Sequence, residues 1–297
     1  MQSAKNEHKS HQKNRNFHPK GNALREKRLL ALWWKEDLPC GDITTDALRL
    51  TKKGKGIIVA QERGILAGQR IVTEVFRKSD RRCDIHWLYP EGAEISPDLI
   101  VCEISGILRH LLHAERLALN LLMHLSGIAT LTRKFVRAVD GTGVIILDTR
   151  KTLPGLRKWE KEAVRVGGGQ NHRFSLSDML FIKSNHIRAL GSLTQAVTTI
   201  RRKYPRKFLL VEVHNLAELQ EALSLPVQRI LLDNFSLDAV RKAVNLVQGK
   251  VPLEVSGGIN LENVRQYALT GVQYISIGSL THSAPALPFS FRILSSR

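Results

Sequence analysis

Six short apolar runs recur through the second half of the chain, at residues 144–147, 180–182, 208–211, 229–232, 253–255 and 274–277. Near-continuous apolar runs of this length read as strands covered on both faces. Helix-patterned segments fill the gaps, at 193–203, 216–222, 237–247 and 261–269. Strands alternating with helices specify parallel βα units with right-handed crossovers, and the short repeat favours a barrel or partial barrel. No glycine fingerprint of the dinucleotide-binding type opens the series.

Polar residues follow the runs. Asp148-Thr149-Arg150-Lys151 comes after the first and Lys183-Ser184-Asn185-His186 after the second; Glu212, Asp233-Asn234, Ser256-Gly257-Gly258 and Gly278 mark the later ones. In parallel α/β folds the carboxyl ends of all strands face one side, so these groups converge on one ligand face.

The first part of the chain has another rhythm. Leu24, Leu29, Leu30, Leu32 and Trp33 have helical spacing over 23–34, and Gly41-Asp42-Ile43-Thr44-Thr45 reads as the loop that ends the helix. Runs at 56–60 and 99–104, punctuated by Gly64, Gly68, Gly92 and Gly106, predict a small sheet-containing domain. Residues 108–139 are apolar-periodic, and Ser126-Gly127 predicts a break into two helices there.

Lys and Arg number 45 against 27 Asp and Glu, a formal charge of +18 that attracts anions, whether nucleic acid, phospholipid or small phosphorylated and carboxylated metabolites. Residues 1–30 hold eight Lys/Arg and two acids, a third of the excess. Up to about residue 21 this tail lacks apolar periodicity and is expected to be disordered. Cys40, Cys83 and Cys102 are an odd, widely spaced set, expected to be free thiols. With no membrane-length apolar run and no secretory leader pattern, a soluble cytoplasmic protein is expected.

The densest cluster is Asp148-Thr149-Arg150-Lys151-Thr152-Leu153-Pro154-Gly155-Leu156-Arg157, followed by Glu160-Lys161, Gly167-Gly168-Gly169, Asn171-His172-Arg173 and Lys183 with Asn185-His186. In this order the chain resembles the quinolinate phosphoribosyltransferases, the decarboxylating nicotinate-nucleotide pyrophosphorylases, over roughly residues 27–291. Glu115-Arg116, Leu232-Asp233-Asn234, Ser256-Gly257-Gly258-Ile259 and Gly278-Ser279-Leu280-Thr281-His282 extend the resemblance. It implies an α/β fold, an N-terminal α/β sandwich plus an open α/β barrel, with the active site shared across a homodimer or a higher oligomer. The corresponding division is a basic tail (1–21), the sandwich with connecting helices (22–138), the barrel (139–284) and a C-terminal segment (285–297) returning to the first domain.

The implied reaction joins quinolinate to phosphoribosyl pyrophosphate and releases pyrophosphate and carbon dioxide. Two adjacent carboxylates suit planar guanidinium groups, which makes Arg150, His172 and Arg173 the expected clamp beside Thr149. By resemblance Arg116 joins from the neighbouring subunit; a helix-surface ion pair is its alternative reading, and satisfying a loop is that of His172. Lys151 and Lys183 suit the departing pyrophosphate. Glu212 and Asp233 suit Mg²⁺ and the positive charge developing on the ribose. Backbone amides at Ser256-Gly257-Gly258 and at Gly278 to His282 suit a 5′-phosphate.

Two departures stand out. Family members often carry Glu-Val-Glu where this chain reads Leu210-Val211-Glu212, and a Leu-Asp pair where it has Leu287-Pro288. The competing readings are a molybdenum-associated relative acting on another acidic aromatic acceptor and, from a different class, a basic nucleic-acid-binding protein.

Overall fold

The fold is that of a computed structural model, which describes residues 19–294. The tail expected to be disordered lies outside the described residues as far as residue 18, and a helix, α1 (Pro19–Asp37), begins directly after it. Where the sequence reads a loop at 41–45, Asp42 instead caps a short helix, α2 (Ile43–Ala47), accepting from the Thr44 and Thr45 amides at 3.1 and 3.0 Å.

The first domain follows as β1 (Lys53–Ala60), β2 (Gly64–Ile65), α3 (Gln69–Ser79), β3 (Asp84–Trp87), β4 (Glu94–Ile95) and β5 (Ile100–Ile107). Ile71, Val72, Val75 and Phe76 form one buried stripe of α3. Helix α4 (Leu108–Ala138) then runs for 31 residues without interruption. The break expected at Ser126-Gly127 is absent, and the glycine has another purpose. A Cβ at Gly127 would lie 2.1 Å from the Pro285 carbonyl oxygen, so its absence lets the returning chain cross the helix. Ser126 bonds both the Ala67 amide (3.0 Å) and the Ala67 carbonyl (3.2 Å), tying α4 to the first domain.

The remaining elements are β6 (Ile145–Leu147), α5 (Arg157–Val166), β7 (Leu180–Ile182), α6 (Ser184–Leu190), α7 (Leu193–Lys203), β8 (Leu209–Val213), α8 (Leu216–Leu223), β9 (Arg229–Asp233), α9 (Leu237–Val247), β10 (Leu253–Ser256), α10 (Val264–Ala268), β11 (Tyr274–Ser276), α11 (Ser279–His282) and β12 (Phe289–Leu294). Strand β12 pairs antiparallel with β1, in a sheet of order β12-β1-β5-β3. Strands β6 to β11 form one parallel sheet of order β6-β11-β10-β9-β8-β7. Its edge strands β6 and β7 do not pair with each other among the described residues, which leaves the barrel open between them. The open edges are joined by residues 148–179, the stretch that carries the densest polar motif.

One apolar cluster joins helices and sheet faces of both parts, and a second, small one collects Phe181, Leu210 and Leu231. Strand alternation puts Arg229, Glu254 and Tyr274 in the same rows as Leu210 and Leu231, so a few polar groups share the barrel interior with that small cluster. Helix α1 straps the two parts together: Glu26 pairs with Arg70 of α3 (3.0 Å) and with Lys158 of α5, and Trp33 meets Trp159 edge-on at 5.3 Å. No helix among the described residues is long and apolar enough to cross a membrane.

Candidate active site

Asp233, Ser256, Ser276 and Leu147 lie abreast at the carboxyl ends of β9, β10, β11 and β6. Glu212 sits on β8 beside Leu231, one step deeper than Asp233 and largely buried. Lys183, which follows β7, places its Nζ 2.8 Å from Glu212 Oε2, and the Ser184 amide donates to Glu212 Oε1 at 3.3 Å. His214, two residues beyond Glu212, lies between the acids, 3.6 Å from Glu212 Oε1 and 3.6 Å from Asp233 Oδ2. Glu212, His214 and Asp233 each offer one ligand atom, all within 4.8 Å of one another. Two carboxylates this close fit a hard divalent cation that keeps part of its water shell.

The open edge of the barrel is built around a buried charge pair. Asp148 is fully buried and Lys161 nearly so, and the ammonium contacts Asp148 Oδ1 directly. Asn171 Nδ2 donates to Asp148 Oδ2 (2.6 Å) and the His172 amide to Oδ1 (2.9 Å), while Lys161 also donates to the His172 carbonyl (3.1 Å). Burial raises the Asp148 carboxyl and lowers the Lys161 ammonium, so each needs the other to stay charged. Glu160, also buried, accepts from the Leu153 amide (3.2 Å) and lies 2.9 Å from His124, which pins the loop after Lys151.

That scaffold presents two guanidinium groups. Arg150 Nε is buried and has no hydrogen-bond partner among the described residues. Burial, and then the positive charge of Arg150, lower the Arg173 guanidinium, which stacks on Phe181 at 4.8 Å. Cationic side chains in a partly buried place attract anions, and planar guanidinium groups match carboxylate oxygens. His172 is buried beside them: Nδ1 accepts the Arg173 amide at 2.8 Å, and Nε2 faces Glu254 Oε1 at 3.4 Å. The Phe181 ring joins the two halves of the site, since Lys183 Nζ lies 4.6 Å from its centre.

Lys151 meets the last strands. Its amide donates to Thr149 Oγ1 (3.0 Å), and its carbonyl accepts from Thr281 Oγ1 (2.6 Å). A Cβ at Gly278 would lie 2.9 Å from the Lys151 stem and 3.0 Å from His282 Nε2, so the missing side chain lets the three approach. Gly257 has φ +95° and would drive a Cβ to within 2.1 Å of Asn234 Oδ1; Gly258 has φ +63° and faces open space. Helices α10 and α11 are only five and four residues long, so any anion there meets loop amides more than a helix dipole.

Arg116 is not part of this assembly. It projects from α4 with 61 % of its side chain exposed, 3.8 Å from Glu115. A cavity of about 770 Å³ lined by Gln69, Arg70, Arg77, Trp87, Trp159 and Arg165 contains none of the residues above, and the strand-end face is where the chemistry assembles. Sequence reasoning missed His214, Glu254 and Arg229, and left Asp148 and Lys161 without a role. For the interior pair the signal was strand alternation: Glu254 is two residues before Ser256 and so shares its face.

Two family models match the chain in succession: quinolinate phosphoribosyl transferase, N-terminal domain, over residues 42–126, and its C-terminal domain over residues 128–292. The chain is 41 % identical over 269 residues to the probable nicotinate-nucleotide pyrophosphorylase (carboxylating) of Synechocystis, covering 89 % of this chain and 91 % of that one. It is 40 % identical to the Bacillus subtilis protein of the same name over 273 residues, 92 % of this chain and 94 % of that one. The crystal structure of nicotinate-nucleotide pyrophosphorylase from Ehrlichia chaffeensis superposes with a TM-score of 0.88 at 39 % identity, covering 90 % of this chain and 98 % of that one.

Proposed function

The chain belongs to the quinolinate phosphoribosyltransferase family, and on that premise we propose that it condenses quinolinate with phosphoribosyl pyrophosphate to give nicotinate mononucleotide, pyrophosphate and carbon dioxide. The observation that carries the choice of acceptor is the pair Arg150 and Arg173, mutually repelling and with the Arg150 Nε unpartnered among the described residues. A dicarboxylate satisfies both.

Each group then has one task. Arg150 and Arg173 hold the pyridine ring by its carboxylates, with Thr149 and His172 shaping the turn around them. Lys151 and Lys183 neutralise pyrophosphate as the bond from ribose C1 to its oxygen breaks, and the ring nitrogen attacks that carbon. Glu212 and Asp233 lie where positive charge develops on the ribose. Loop amides at Ser256, Gly257, Gly258 and Gly278, with His282 beside them, receive the 5′-phosphate. Once ribosylated, the ring nitrogen is cationic, and the electron pair left at its neighbouring carbon by departing carbon dioxide is stabilised by that charge. A proton from solvent completes the product.

Glu212 and Asp233, with His214 between them, are the residues that would hold Mg²⁺. Bound there, the ion would offset the negative charge of the pyrophosphate group. Arg116, exposed and remote in its contacts, is assigned to the site of a second copy in a homodimer. The protein works as a soluble cytoplasmic enzyme and needs no nucleic-acid partner.

The test compares acceptors. Purified protein with Mg²⁺ and phosphoribosyl pyrophosphate should form nicotinate mononucleotide from quinolinate and not from nicotinate; equal use of nicotinate would overturn the dicarboxylate reading. Mixing Arg116→Ala with Lys151→Ala protein should restore about a quarter of native activity, because half the dimers are mixed and each of those has one complete site. No recovery would place Arg116 outside the site.

A further inference from the structure

We propose that Glu254, inside the barrel, is a positioning residue for the acceptor clamp: it fixes His172 as the Nε2–H tautomer, so that Nδ1 takes the Arg173 amide and the imidazole holds no substrate oxygen. The proposal deepens the transferase reading and rests on it for the identity of the acceptor.

A backbone N–H can only donate, and the Arg173 amide lies 2.8 Å from His172 Nδ1, so that nitrogen carries no proton. The remaining ring proton is therefore on Nε2. That nitrogen is 3.4 Å from Glu254 Oε1, which has no full hydrogen bond of its own among the described residues. An ionised carboxylate can only accept, so the two requirements agree. Ionisation is secured from behind by Arg229, whose Nη1 is 3.1 Å from Glu254 Oε2 and whose guanidinium lies 3.7 Å from the centre of the Tyr274 ring. Burial alone would raise the Glu254 carboxyl; the His172 ring, Arg229 and Ser276 hold it below the usual carboxylate range.

The consequence reaches the substrate through Arg173. The backbone of residue 172 is already held at both ends by Asp148 and Lys161. Its ring, with 7 % of the side chain exposed, closes the remaining freedom by gripping the next amide. Arg173 then has a fixed point of departure, from which its guanidinium lies over Phe181 and Nη1 donates to the Met179 carbonyl at 3.4 Å. With Nδ1 bonded and Nε2 turned to the Glu254 carboxylate, the ring points no donor at the substrate. Its place beside the clamp reflects aiming rather than binding.

Nitrogen-15 NMR of the native full-length protein, labelled at histidine and assigned by loss of signals in His172→Asn, reads the tautomer directly. The expected pattern is a bare Nδ1 and a protonated Nε2, retained when quinolinate is added. A protonated Nδ1, or a change of tautomer on addition, would overturn the proposal. Glu254→Gln should raise the KM for quinolinate about tenfold, while kcat and the KM for phosphoribosyl pyrophosphate stay within about threefold. A purely structural loss would lower the active fraction, and hence the apparent kcat, with both KM values unchanged, and that outcome refutes a positioning role. If the glutamine variant does not fold, Glu254→Asp, which keeps the charge, takes its place with the same expected split. Failure of the transferase reading would appear separately, as absence of product from native protein whose tautomer is as described.

Discussion

Replacing Lys161 by Met removes a charge from a place where its partner cannot be rehydrated. Asp148 is 0 % exposed and would keep two donors, the Asn171 amide group at 2.6 Å and the His172 N–H at 2.9 Å, but no counter-charge. Breaking a buried ion pair from one side costs about 3–5 kcal/mol. The His172 carbonyl also loses its 3.1 Å donor, which adds about 1 kcal/mol. The sum is about 5 kcal/mol, and at about 2–4 °C per kcal/mol for large single chains the melting temperature should fall by roughly 10–20 °C. Thermal unfolding followed by circular dichroism measures it. The double variant Asp148→Asn, Lys161→Met should recover most of the loss, because neutral groups replacing both partners leave no buried charge. At a temperature where the single variant is folded, its KM for quinolinate should rise, since the His172-Arg173 turn hangs on this pair. A melting temperature within about 2 °C of native, or a double variant no better than the single, would mean that Asp148 carries no unpaired-charge penalty.

Other expectations follow from the same geometry. Lys151→Ala and Glu212→Ala should each lower kcat by about 10²–10⁴ with the fold intact, and near-normal turnover in either folded variant removes that residue from the mechanism. Of the three cysteines only Cys40 is exposed, and burial pushes Cys102 up to about 12, so a thiol reagent should modify one cysteine rapidly in the native state; fast loss of two or three thiols would contradict the packing. Glu254 is held below its ordinary 4.5 in the fold, so its stabilisation is complete above about pH 4.5 and fades as pH falls below that. Urea unfolding should show native protein losing more stability than Glu254→Gln as pH falls through that range; parallel curves would mean that Glu254 is not held ionised. Gly127→Ala should destabilise by about 1–3 kcal/mol because its methyl meets the Pro285 carbonyl, and a neutral result in denaturant would show that the returning chain yields without cost.

The barrel was legible because its strands are apolar throughout and stop at polar residues; the runs expected at 229–232 and 253–255 differ from β9 and β10 by one residue at one end. Ser126-Gly127 was misread because a glycine inside a helical pattern has two causes, a break and a close approach, and the second depends on Pro285, more than 150 residues away in the chain. Asp42 was taken for loop because its helix is only five residues long, too short to show periodicity. Glu254 and Arg229 were passed over because an isolated charge in an apolar strand looks like ordinary alternation until the register shows that its face is the inside of a barrel. Leu210 is the counterpart. The position is 0 % exposed and packs with Phe181 and Leu231, so an acid there would be fully buried beside Arg229 in the register.

The central claim is a transfer coupled to decarboxylation, and the most direct test follows the carboxylate itself. Quinolinate labelled with carbon-13 in the carboxyl next to the ring nitrogen, incubated with the full-length protein, Mg²⁺ and phosphoribosyl pyrophosphate, should release labelled carbon dioxide in a one-to-one ratio with pyrophosphate and leave unlabelled nicotinate mononucleotide. Pyrophosphate released with the label retained in a ribosylated dicarboxylate, or no turnover by folded protein, would contradict it.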